Sequence, residues 1–320
     1  MIIYFTFFKT LIQNSKFKIQ HFFVGIFLVG FIYSNSVVAA VYPMPTSGED
    51  VVGSIFTAQV QPKDSVTSIR MRYELSLDSF MAANRHIKPN KLRVSDVVII
   101  PAQFVLPLYR KGIVLNMPEL RLYYFSPDGK FVYTFPVAMG RPDWRTPTVA
   151  TKVIKKEEDP IWMVPKSIQA YMLEAHNIDL PDIVMPGPKN PLGKYALYLG
   201  KRGYLIHGTN EPPSVGTFAS SGCMRLSSEA IEMLYQEVPV ETQVHIIHHP
   251  IKSGWLDNKL YLEVHNPIEL DEKESTLNSI TVEAAISKAL AVKSAIINWD
   301  LVHDIVKEHD GIPHIVGTAV

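Results

Sequence analysis

The stretch "IHGTNEPPSVGTFASSGCMRL", residues 206–226, holds the single cysteine of this 320-residue chain. Cys223 follows the polar, glycine-containing run "SSG", which is typical of a tight turn rather than of a packed core. A lone cysteine is more often buried and inert, but these flanks favour a reactive thiol. The chemistry of the protein is therefore expected to centre on Cys223.

The first 40 residues have the pattern of a secretory signal peptide. Lys9, Lys16 and Lys18 precede an apolar run at residues 22–33, and small residues up to Ala40 fit a cleavage site. The apolar run is shorter than the roughly 20 residues that a membrane-spanning helix needs, so a cleaved signal is favoured over an uncleaved anchor. The sequence predicts an exported, periplasmic protein. In an oxidising compartment an unpaired cysteine indicates pairing with another chain or a reactive thiol.

The charge composition argues against one class of partner. The 31 basic and 31 acidic residues give a formal net charge of zero, so no large basic field favours nucleic acid. Beyond the predicted signal peptide, residues 1–40, the chain divides into residues 54–101, 111–249 and 250–320. The predicted fold class is α+β.

The first part, residues 54–101, has the pattern of a small βααβ unit. The strand-like run "SIFTAQV" opens it, and the apolar strand "LRVSDVVIIP" closes it at Pro101. Two short helices are predicted between these strands: "KDSVTSIRMRYELS", with Asp64 or Ser65 as its N-cap, and "LDSFMAANRH".

These residues resemble a LysM module, a family that binds glycans built on N-acetylglucosamine. Asp64, Asn84 and the terminal "IIP" match the family pattern, whereas Lys63 and Ser95 stand where glycine is usual. The resemblance implies glycan binding without chemistry, and the alternative is a folded spacer that binds nothing. A chain that starts near residue 107 is then expected to keep its activity on soluble substrate.

The second part, residues 111–249, is rich in β-forming residues. Runs of Val, Ile, Leu, Tyr and Phe are separated by the turn signals "PDGK", "RPDW" and "GKRG", which predicts a mostly β structure. A helix, "SSEAIEMLYQEV", follows the cysteine and is capped by Ser227 or Ser228. A helix N-terminus and a nearby histidine both favour the thiolate form of Cys223.

His207 is the candidate general base for Cys223. It closes the strand-like run "YLIHG", and a strand, loop and turn can bring it within hydrogen-bond reach of the thiol. The backbone N–H groups of Gly222 and Cys223 can hold an oxyanion, because a glycine allows close backbone approach. No acidic residue is an obvious partner for the imidazole, so the carbonyl of Gly208 is the candidate group that orients it.

The run from His207 to Arg225 resembles the active-site signature of L,D-transpeptidases with a YkuD-type catalytic domain. That signature is His-Gly-Thr-Asn, a loop, and then Ser-x-Gly-Cys-x-Arg. The resemblance extends upstream through "GIVLNMPELRLYYFSPDGK", "MGRPDWRTPT", "IWMVPKSI" and "VMPGPKNPLGKYALYLG". Ser221 and Val149 depart from the pattern, since members commonly carry histidine and glycine there. The matching positions are His207, Gly208, Thr209, Asn210, Ser220, Gly222, Cys223 and Arg225.

The resemblance implies acyl transfer on peptidoglycan. Cys223 attacks the carbonyl of the third residue of a tetrapeptide stem, D-alanine leaves, and an amine resolves the thioester, while His207 moves the protons. The partners are peptidoglycan stem peptides and glycan, and the acceptor is either a second stem peptide or an outer-membrane protein. Neither a cofactor nor a metal is implied. The residues assigned to substrate binding are Arg225, Ser220, Ser221, Thr209 and Asn210.

Several alternatives remain open at this level. Arg225 either pairs with a stem carboxylate, which a guanidinium binds bidentately, or forms a structural salt bridge. The same Cys–His pair also suits an L,D-carboxypeptidase or endopeptidase, and a non-catalytic wall-binding protein is a third reading. The histidines of "VHIIHHP", His245, His248 and His249, are interpreted as a polar strand end rather than as a metal site.

The third part, residues 250–320, continues with a strand-like stretch and a polar linker. The run "TVEAAISKALAVKSAIINWDLVHDIVKEHDG" has the periodicity of one amphipathic helix, with Ser279 or Thr281 as N-cap and Gly311 as its stop. A β-rich catalytic domain, a βααβ module and a C-terminal helical appendage complete the predicted architecture.

Overall fold

The computed structural model describes residues 40–268 and 281–320. The predicted signal peptide lies outside the described residues, apart from Ala40. Within the described ranges, no helix has the length and apolar character needed to span a membrane.

A nine-stranded sheet forms the centre of the part predicted to be β-rich. Its strand order is β1-β6-β5-β4-β15-β8-β11-β12-β14, with antiparallel neighbours except at β4/β15 and β12/β14. The strands are β1 (Ala40–Pro43), β4 (Gly112–Asn116), β5 (Arg121–Phe125), β6 (Phe131–Pro136), β8 (Val149–Glu158), β11 (Tyr195–Leu199), β12 (Leu205–His207), β14 (Met224–Arg225) and β15 (Gln243–Ile247).

Shorter elements line the edges of this sheet. A parallel pair, β7 (Met139–Gly140) and β13 (Phe218–Ser220), adjoins the cysteine, and an antiparallel pair, β9 (Trp162–Met163) and β10 (Ile183–Val184), accompanies helix α3 (Lys166–His176). Helix α4 (Ser228–Glu237) begins at Ser227, whose side chain accepts a hydrogen bond from the N–H of Ala230. This confirms one of the two predicted caps.

Side chains of the central sheet alternate between its two faces, and both faces are buried. Ile113 and Leu115 of β4 pack on the side of α4, while Val114 packs on the side of the βααβ unit. On β5, Tyr124 packs on the side of α4 and Tyr123 on the side of the βααβ unit. The sheet therefore shares one hydrophobic core with each neighbouring layer.

The βααβ prediction is confirmed. The unit consists of β2 (Val51–Gln59), α1 (Val66–Arg72), α2 (Leu77–Ala83) and β3 (Val97–Val105). Ser65 caps α1 by accepting from the N–H of Ser68. The prediction that Pro101 stops the last strand is wrong, because Pro101 pairs with Ile55 and the strand continues. Since β2 is the one strand that pairs with β3 among the described residues, the missing N–H of a proline is tolerated there.

The two departures from the LysM pattern fall at left-handed backbone positions. Lys63 has φ of 70° and Ser95 has φ of 73°. Only glycine adopts this conformation without steric cost. The family preference for glycine thus has a conformational cause, and this chain keeps the same turns with bulkier residues.

The C-terminal part corrects the prediction of a single amphipathic helix. Residues 282–308 form two helices, α5 (Val282–Leu290) and α6 (Trp299–Glu308), separated by β18 (Ala295–Ile297). Thr281 caps α5 and Asn298 caps α6, while Ser279 lies outside the described residues. A four-stranded sheet, β16-β17-β19-β18, completes this unit with β16 (Ile251–Leu256), β17 (Lys259–Val264) and β19 (His314–Ala319).

Strand pairing explains why the helix breaks. Ile297 pairs with Gly317 of β19, and such a long-range partner is invisible to a local periodicity. Asn298 then starts a new helix by accepting from the N–H of Leu301. Tertiary contacts here override a helical pattern that holds on both sides of the break.

A buried cluster of charges ties the C-terminal unit to the central sheet. Lys252 of β16 pairs with Glu119 and, at 2.9 Å, with Glu263, and all three side chains are at most 5% exposed. Its ammonium also donates to the carbonyl of Val105 (2.6 Å), while Tyr123 donates to Glu119 (2.6 Å). The cluster therefore joins elements from all three parts of the chain.

The same cluster contains a group of potential metal ligands. Glu119, Glu263 and His265 bring one ligand atom each within 4.8 Å of one another. The ammonium of Lys252 already forms an ion pair with each carboxylate, and His265 contacts Glu263 at 2.6 Å. Burial alone raises the pKa of Glu263, but the charges of Lys252 and His265 outweigh it and hold that pKa below its ordinary value. The cation of this cluster is the ammonium of Lys252, and no metal site is inferred.

Replacing Lys252 with alanine is expected to lower the free energy of unfolding by about 3–5 kcal/mol, because two buried carboxylates lose their cation. Urea denaturation would measure the change. Lys259→Ala is the control, since Lys259 is exposed at the start of the adjacent strand. A loss below about 1 kcal/mol for Lys252→Ala, the value typical of an exposed pair, would contradict this role for the cluster.

Candidate active site

His207 and the segment after Cys223 lie side by side on adjacent strands. Strand β14 runs parallel to β12, with Ile206 opposite Met224 and His207 opposite Arg225. Ile206 and Met224 are buried in the core on the α4 side, so His207 and Arg225 face the opposite side of the sheet. Cys223 directly precedes β14 and is partly exposed. Strand register thus brings His207 next to Arg225, although the two residues are distant in the sequence.

A hydrogen-bonded turn presents Cys223. Ser220 donates to the carbonyl of Cys223 (2.5 Å) and accepts from the N–H of Gly222 (3.1 Å). Gly222 has φ of 107°, and a Cβ there would lie 3.2 Å from the ring of Tyr204. The turn therefore requires glycine. Ser220 is only 1% exposed, so it shapes the turn rather than contacting substrate.

Thr146 supports this turn from behind, a role that the sequence did not reveal. Its hydroxyl donates to the carbonyl of Gly222 (2.8 Å) and accepts from the N–H of Gly140 (2.9 Å). Thr146 belongs to the run "MGRPDWRTPT", from which the sequence indicates only a resemblance to L,D-transpeptidases. The contact spans 76 positions in the sequence, so only the folded chain shows it.

The imidazole of His207 is held as a neutral base. Its Nδ1 lies 2.7 Å from the carbonyl oxygen of Gly208. Because a carbonyl only accepts, Nδ1 carries the proton and Nε2 keeps its lone pair. Burial, followed by the charge of Arg225, lowers the pKa of His207 to about 4. His207 is therefore uncharged at neutral pH and able to take a proton.

The thiol of Cys223 is not preset as a thiolate. Burial raises its pKa, against the opposing effects of the Leu205 backbone and the Arg225 guanidinium. Its Sγ lies 3.6 Å from the carbonyl oxygen of Gly203, to which the thiol donates. The expected effect of the helix N-terminus is not seen, because α4 starts only after β14. In this arrangement the thiol of Cys223 retains its proton.

The predicted substrate-binding residues divide into two groups. Thr209 is buried and accepts from the N–H of Glu211 (2.9 Å), so it shapes the loop after His207. Asn210 is exposed and Ser221 partly exposed. Arg225 pairs with the exposed Glu211 at 3.3 Å, which is the salt-bridge alternative. Only Asn210 and Ser221 therefore reach solvent without a structural hydrogen bond of their own among the described residues.

The βααβ unit holds the loop between His207 and Cys223. Arg70 of α1 is 2% exposed, and its two terminal nitrogens donate to the carbonyls of Pro213 and Val215, each at 2.5 Å. The N–H of Leu77 donates to the carbonyl of Gly216 (3.1 Å). A Cβ on Gly216 would lie 2.8 Å from the Cα of Ser76. These contacts argue against the prediction that the LysM-like unit is separable from the chemistry.

A cavity of about 270 Å³ lies where the three parts of the chain meet. Its lining includes Thr146 and Gly140, which stand behind the cysteine turn, but neither Cys223 nor His207. The cavity therefore adjoins the supporting layer of the candidate site and is separate from its reacting groups.

Comparison with known proteins assigns the family. Residues 110–246 match the model of the YkuD L,D-transpeptidase catalytic domain, and residues 58–101 match the LysM domain. The probable L,D-transpeptidase YbiS of Escherichia coli (strain K12) is 34% identical over 304 residues, which cover 92% of this chain and 98% of that protein. The chain belongs to the L,D-transpeptidase family.

Other L,D-transpeptidases match less of the chain. The probable L,D-transpeptidase ErfK/SrfK of Escherichia coli (strain K12) is 36% identical over 247 residues, covering 75% of this chain and 79% of that protein. Among solved structures, L,D-transpeptidase 3 from Mycobacterium tuberculosis has 18% identity and a TM-score of 0.33, covering 66% of this chain and 98% of that one.

Family membership makes this chain a transpeptidase enzyme. Both of its matched domains imply binding to peptidoglycan. The cysteine turn lies within residues 110–246, the part that matches the catalytic domain of L,D-transpeptidases.

The pH dependence of this L,D-transpeptidase follows from His207. As the candidate general base, His207 accepts a proton only when its imidazole is neutral, so kcat/KM on a soluble tetrapeptide is expected to fall on the acid side with a midpoint near pH 4. The unfolded chain binds a proton at His207 below about pH 6.5. The folded state therefore loses stability as pH falls from about 6.5 to 4.

A second histidine, which is half-buried, separates the two effects. Burial also lowers the pKa of His249 to about 4, so it adds to the stability loss but lies outside the site. His249→Gln is expected to keep the acid limb of activity, while His207→Gln removes activity at every pH. An acid limb centred near pH 6.5 in the wild type would contradict the buried, neutral state of His207.

Proposed function

We propose that this enzyme transfers the acyl group of a peptidoglycan tetrapeptide stem through a thioester on Cys223. The parallel pairing of β12 with β14 is the observation that carries the proposal, because it sets the neutral His207 beside Arg225, two positions after the thiol. The family assignment supplies the reaction class. The thioester, the roles of the residues and the place of action are the steps proposed here.

The proposed chemistry uses His207 as a proton carrier in both half-reactions. Nε2 takes the thiol proton while Sγ attacks the carbonyl carbon of the third stem residue. The C–N bond to D-alanine breaks, and that amine leaves with the proton from His207. An acceptor amine then attacks the thioester and gives its proton to His207. The C–S bond breaks, and His207 returns that proton to the sulfur, which restores the thiol.

The oxyanion of each tetrahedral intermediate needs backbone donors. Gly222 was expected to supply one, but its N–H already donates to Ser220. We therefore assign the main donor role to the N–H of Cys223 itself. Gly208 acts through its carbonyl, by keeping the proton on Nδ1 of His207.

The acceptor and the compartment complete the proposal. A second stem peptide as acceptor yields a 3-3 cross-link, and an outer-membrane protein yields attachment of that protein to peptidoglycan. Both require a periplasmic enzyme, and the N-terminal sequence pattern supports export. Cleavage after Ala40 would keep Val41, Tyr42 and Pro43 of strand β1 paired with β6.

Mass spectrometry of the products tests this function. Purified enzyme with soluble tetrapeptide and a D-amino acid should give the exchanged tetrapeptide. Release of tripeptide and free D-alanine without exchange would instead favour the L,D-carboxypeptidase. Sacculi from cells with and without the protein would then show whether cross-links or attached protein depend on it.

A carbapenem is expected to acylate the enzyme once, at Cys223. Its strained carbonyl offers an electrophile to the same thiol. Intact-protein mass spectrometry followed by peptide mapping measures the adduct. The Cys223→Ala variant should form none. An adduct that maps elsewhere, or none on the wild type, would count against the thioester mechanism.

A further inference from the structure

Arg141 lies beside the cysteine turn with one guanidinium nitrogen buried and unbonded. Its backbone N–H donates to the carbonyl of Ser220 (3.1 Å), and Ser220 in turn bonds the carbonyl of Cys223. Within residues 40–268 and 281–320, Nη2 of Arg141 has no hydrogen-bond partner. An unpaired buried N–H of a cation is costly, so a ligand that supplies the missing acceptor is favoured.

Two aromatic rings hold this guanidinium. Its central carbon lies 4.2 Å from the ring centre of Tyr171 and 5.2 Å from that of Trp144. The two rings meet edge to face at 5.7 Å. Aromatic faces cover the flat sides of a guanidinium and leave its edge, which carries the N–H groups, for an anion. The geometry is that of a preorganised carboxylate receptor.

The receptor adjoins the residue that precedes the nucleophile. The carbonyl oxygen of Trp144 would lie 3.6 Å from a Cβ on Gly222. Two positions further along the same segment, Thr146 bonds the carbonyl of Gly222. The segment that contributes Trp144 to the receptor thus also supports the cysteine turn through Thr146.

Other arginines near the site are already engaged. Arg225 pairs with Glu211 at 3.3 Å. Both terminal nitrogens of Arg70 bind loop carbonyls. In Arg70 only Nε lacks a partner among the described residues, whereas in Arg141 a terminal nitrogen does.

We propose that Arg141 binds a carboxylate of the donor stem peptide between Trp144 and Tyr171, as a specificity-determining residue. The inference rests on the proposed function and adds the anchor that orients the donor. A planar guanidinium binds a carboxylate through two parallel hydrogen bonds. The stem offers two such groups near the reacting bond: the terminal carboxylate of D-alanine and, when the third residue is meso-diaminopimelate, the carboxylate of that side chain.

The test combines one enzyme variant with two modified substrates. D-Alanine exchange is measured with the unmodified tetrapeptide, with its terminal amide and with its side-chain amide at the third residue. Arg141→Gln should lower kcat/KM on the unmodified peptide about 10- to 100-fold, mainly by raising KM. For the wild type, one of the two amides should lower kcat/KM by a similar factor relative to the unmodified peptide. For Arg141→Gln, the same amide should give the same kcat/KM as the unmodified peptide. That amide identifies the bound carboxylate.

Several controls separate binding from folding. Arg145→Gln removes an exposed charge from the same segment and should leave kcat/KM unchanged. Thermal melting monitors the fold, and Arg141→Lys, which keeps the charge but loses the planar fork, should recover part of the activity. If Arg141→Gln fails to fold, the amides are judged on the wild type together with Arg141→Lys.

Two outcomes overturn the inference while leaving the function intact. In one, neither amide lowers wild-type kcat/KM. In the other, the variant loses as much on each amide as the wild type does. Absence of any Cys223-dependent exchange with all three peptides would instead overturn the proposed function, and the inference with it.

Discussion

Replacing Cys223 with serine is expected to lower transfer from tetrapeptide more than about 1,000-fold while the fold stays intact. His207, with a pKa of about 4, is a weak base. It can accept a proton from a thiol during attack but is poorly matched to a hydroxyl, which is far less acidic. Exchange of the terminal D-alanine measures the activity, and thermal melting measures the fold.

The serine variant also discriminates between mechanisms. Its hydroxyl can still donate to the carbonyl of Gly203, so the melting temperature should stay within a few degrees of the wild type. Cys223→Ala should be equally inactive. Wild-type exchange in either variant would rule out the thioester route.

Replacing Arg70 with alanine is expected to lower kcat/KM on soluble tetrapeptide at least about 10-fold, although Arg70 belongs to the LysM-like unit. The loop between His207 and Cys223 then loses two charge-assisted hydrogen bonds, each worth about 1.5–3 kcal/mol. The thiol should turn over more slowly because its loop is less well placed. Steady-state kinetics and carbapenem acylation rates both report this effect.

Arg72 is the matched control on the same helix. Its partner is Asp64 within the βααβ unit, and its side chain is 36% exposed. Arg72→Ala should change kcat/KM little, because the ion pair it removes lies within the βααβ unit and does not touch the catalytic loop. Equal kinetic losses in both variants would mean that α1 acts only through the stability of its own unit.

Truncation of the chain extends this result. A chain that starts near residue 107 lacks Arg70, Ser76 and Leu77, and it exposes the sheet face that carries Val114 and Tyr123. It should therefore lose soluble-substrate turnover as well as sedimentation with insoluble peptidoglycan. Full turnover by the truncated chain would restore the view of the LysM-like unit as a separable glycan-binding module.

Local signals in the sequence determined the elements and the identity of the reacting groups. The caps at Ser65 and Ser227, the βααβ order and the mostly β central part all depend on residues a few positions apart. The glycine before Cys223 likewise signals a turn that needs a positive φ. Such features are readable because their physical cause lies within one short segment.

The placement of His207 and the thiol could be predicted only in part. The polar turn and the strand-like run before His207 suggested that the two residues meet. Their register, Ile206 opposite Met224, depends on strand pairing. The raised pKa of Cys223 depends on burial by surrounding segments, so the predicted thiolate was contradicted by a property of the folded environment.

Tertiary structure alone decided how the parts of the chain cooperate. The hydrogen bonds of Arg70 to the catalytic loop span more than 140 positions, and that of Thr146 to the cysteine turn spans 76. Helical periodicity runs on past Ile297, yet pairing with Gly317 makes that segment a strand. Sequence patterns record the preferences of neighbouring residues, whereas these features arise from contacts that exist only after distant segments have packed together.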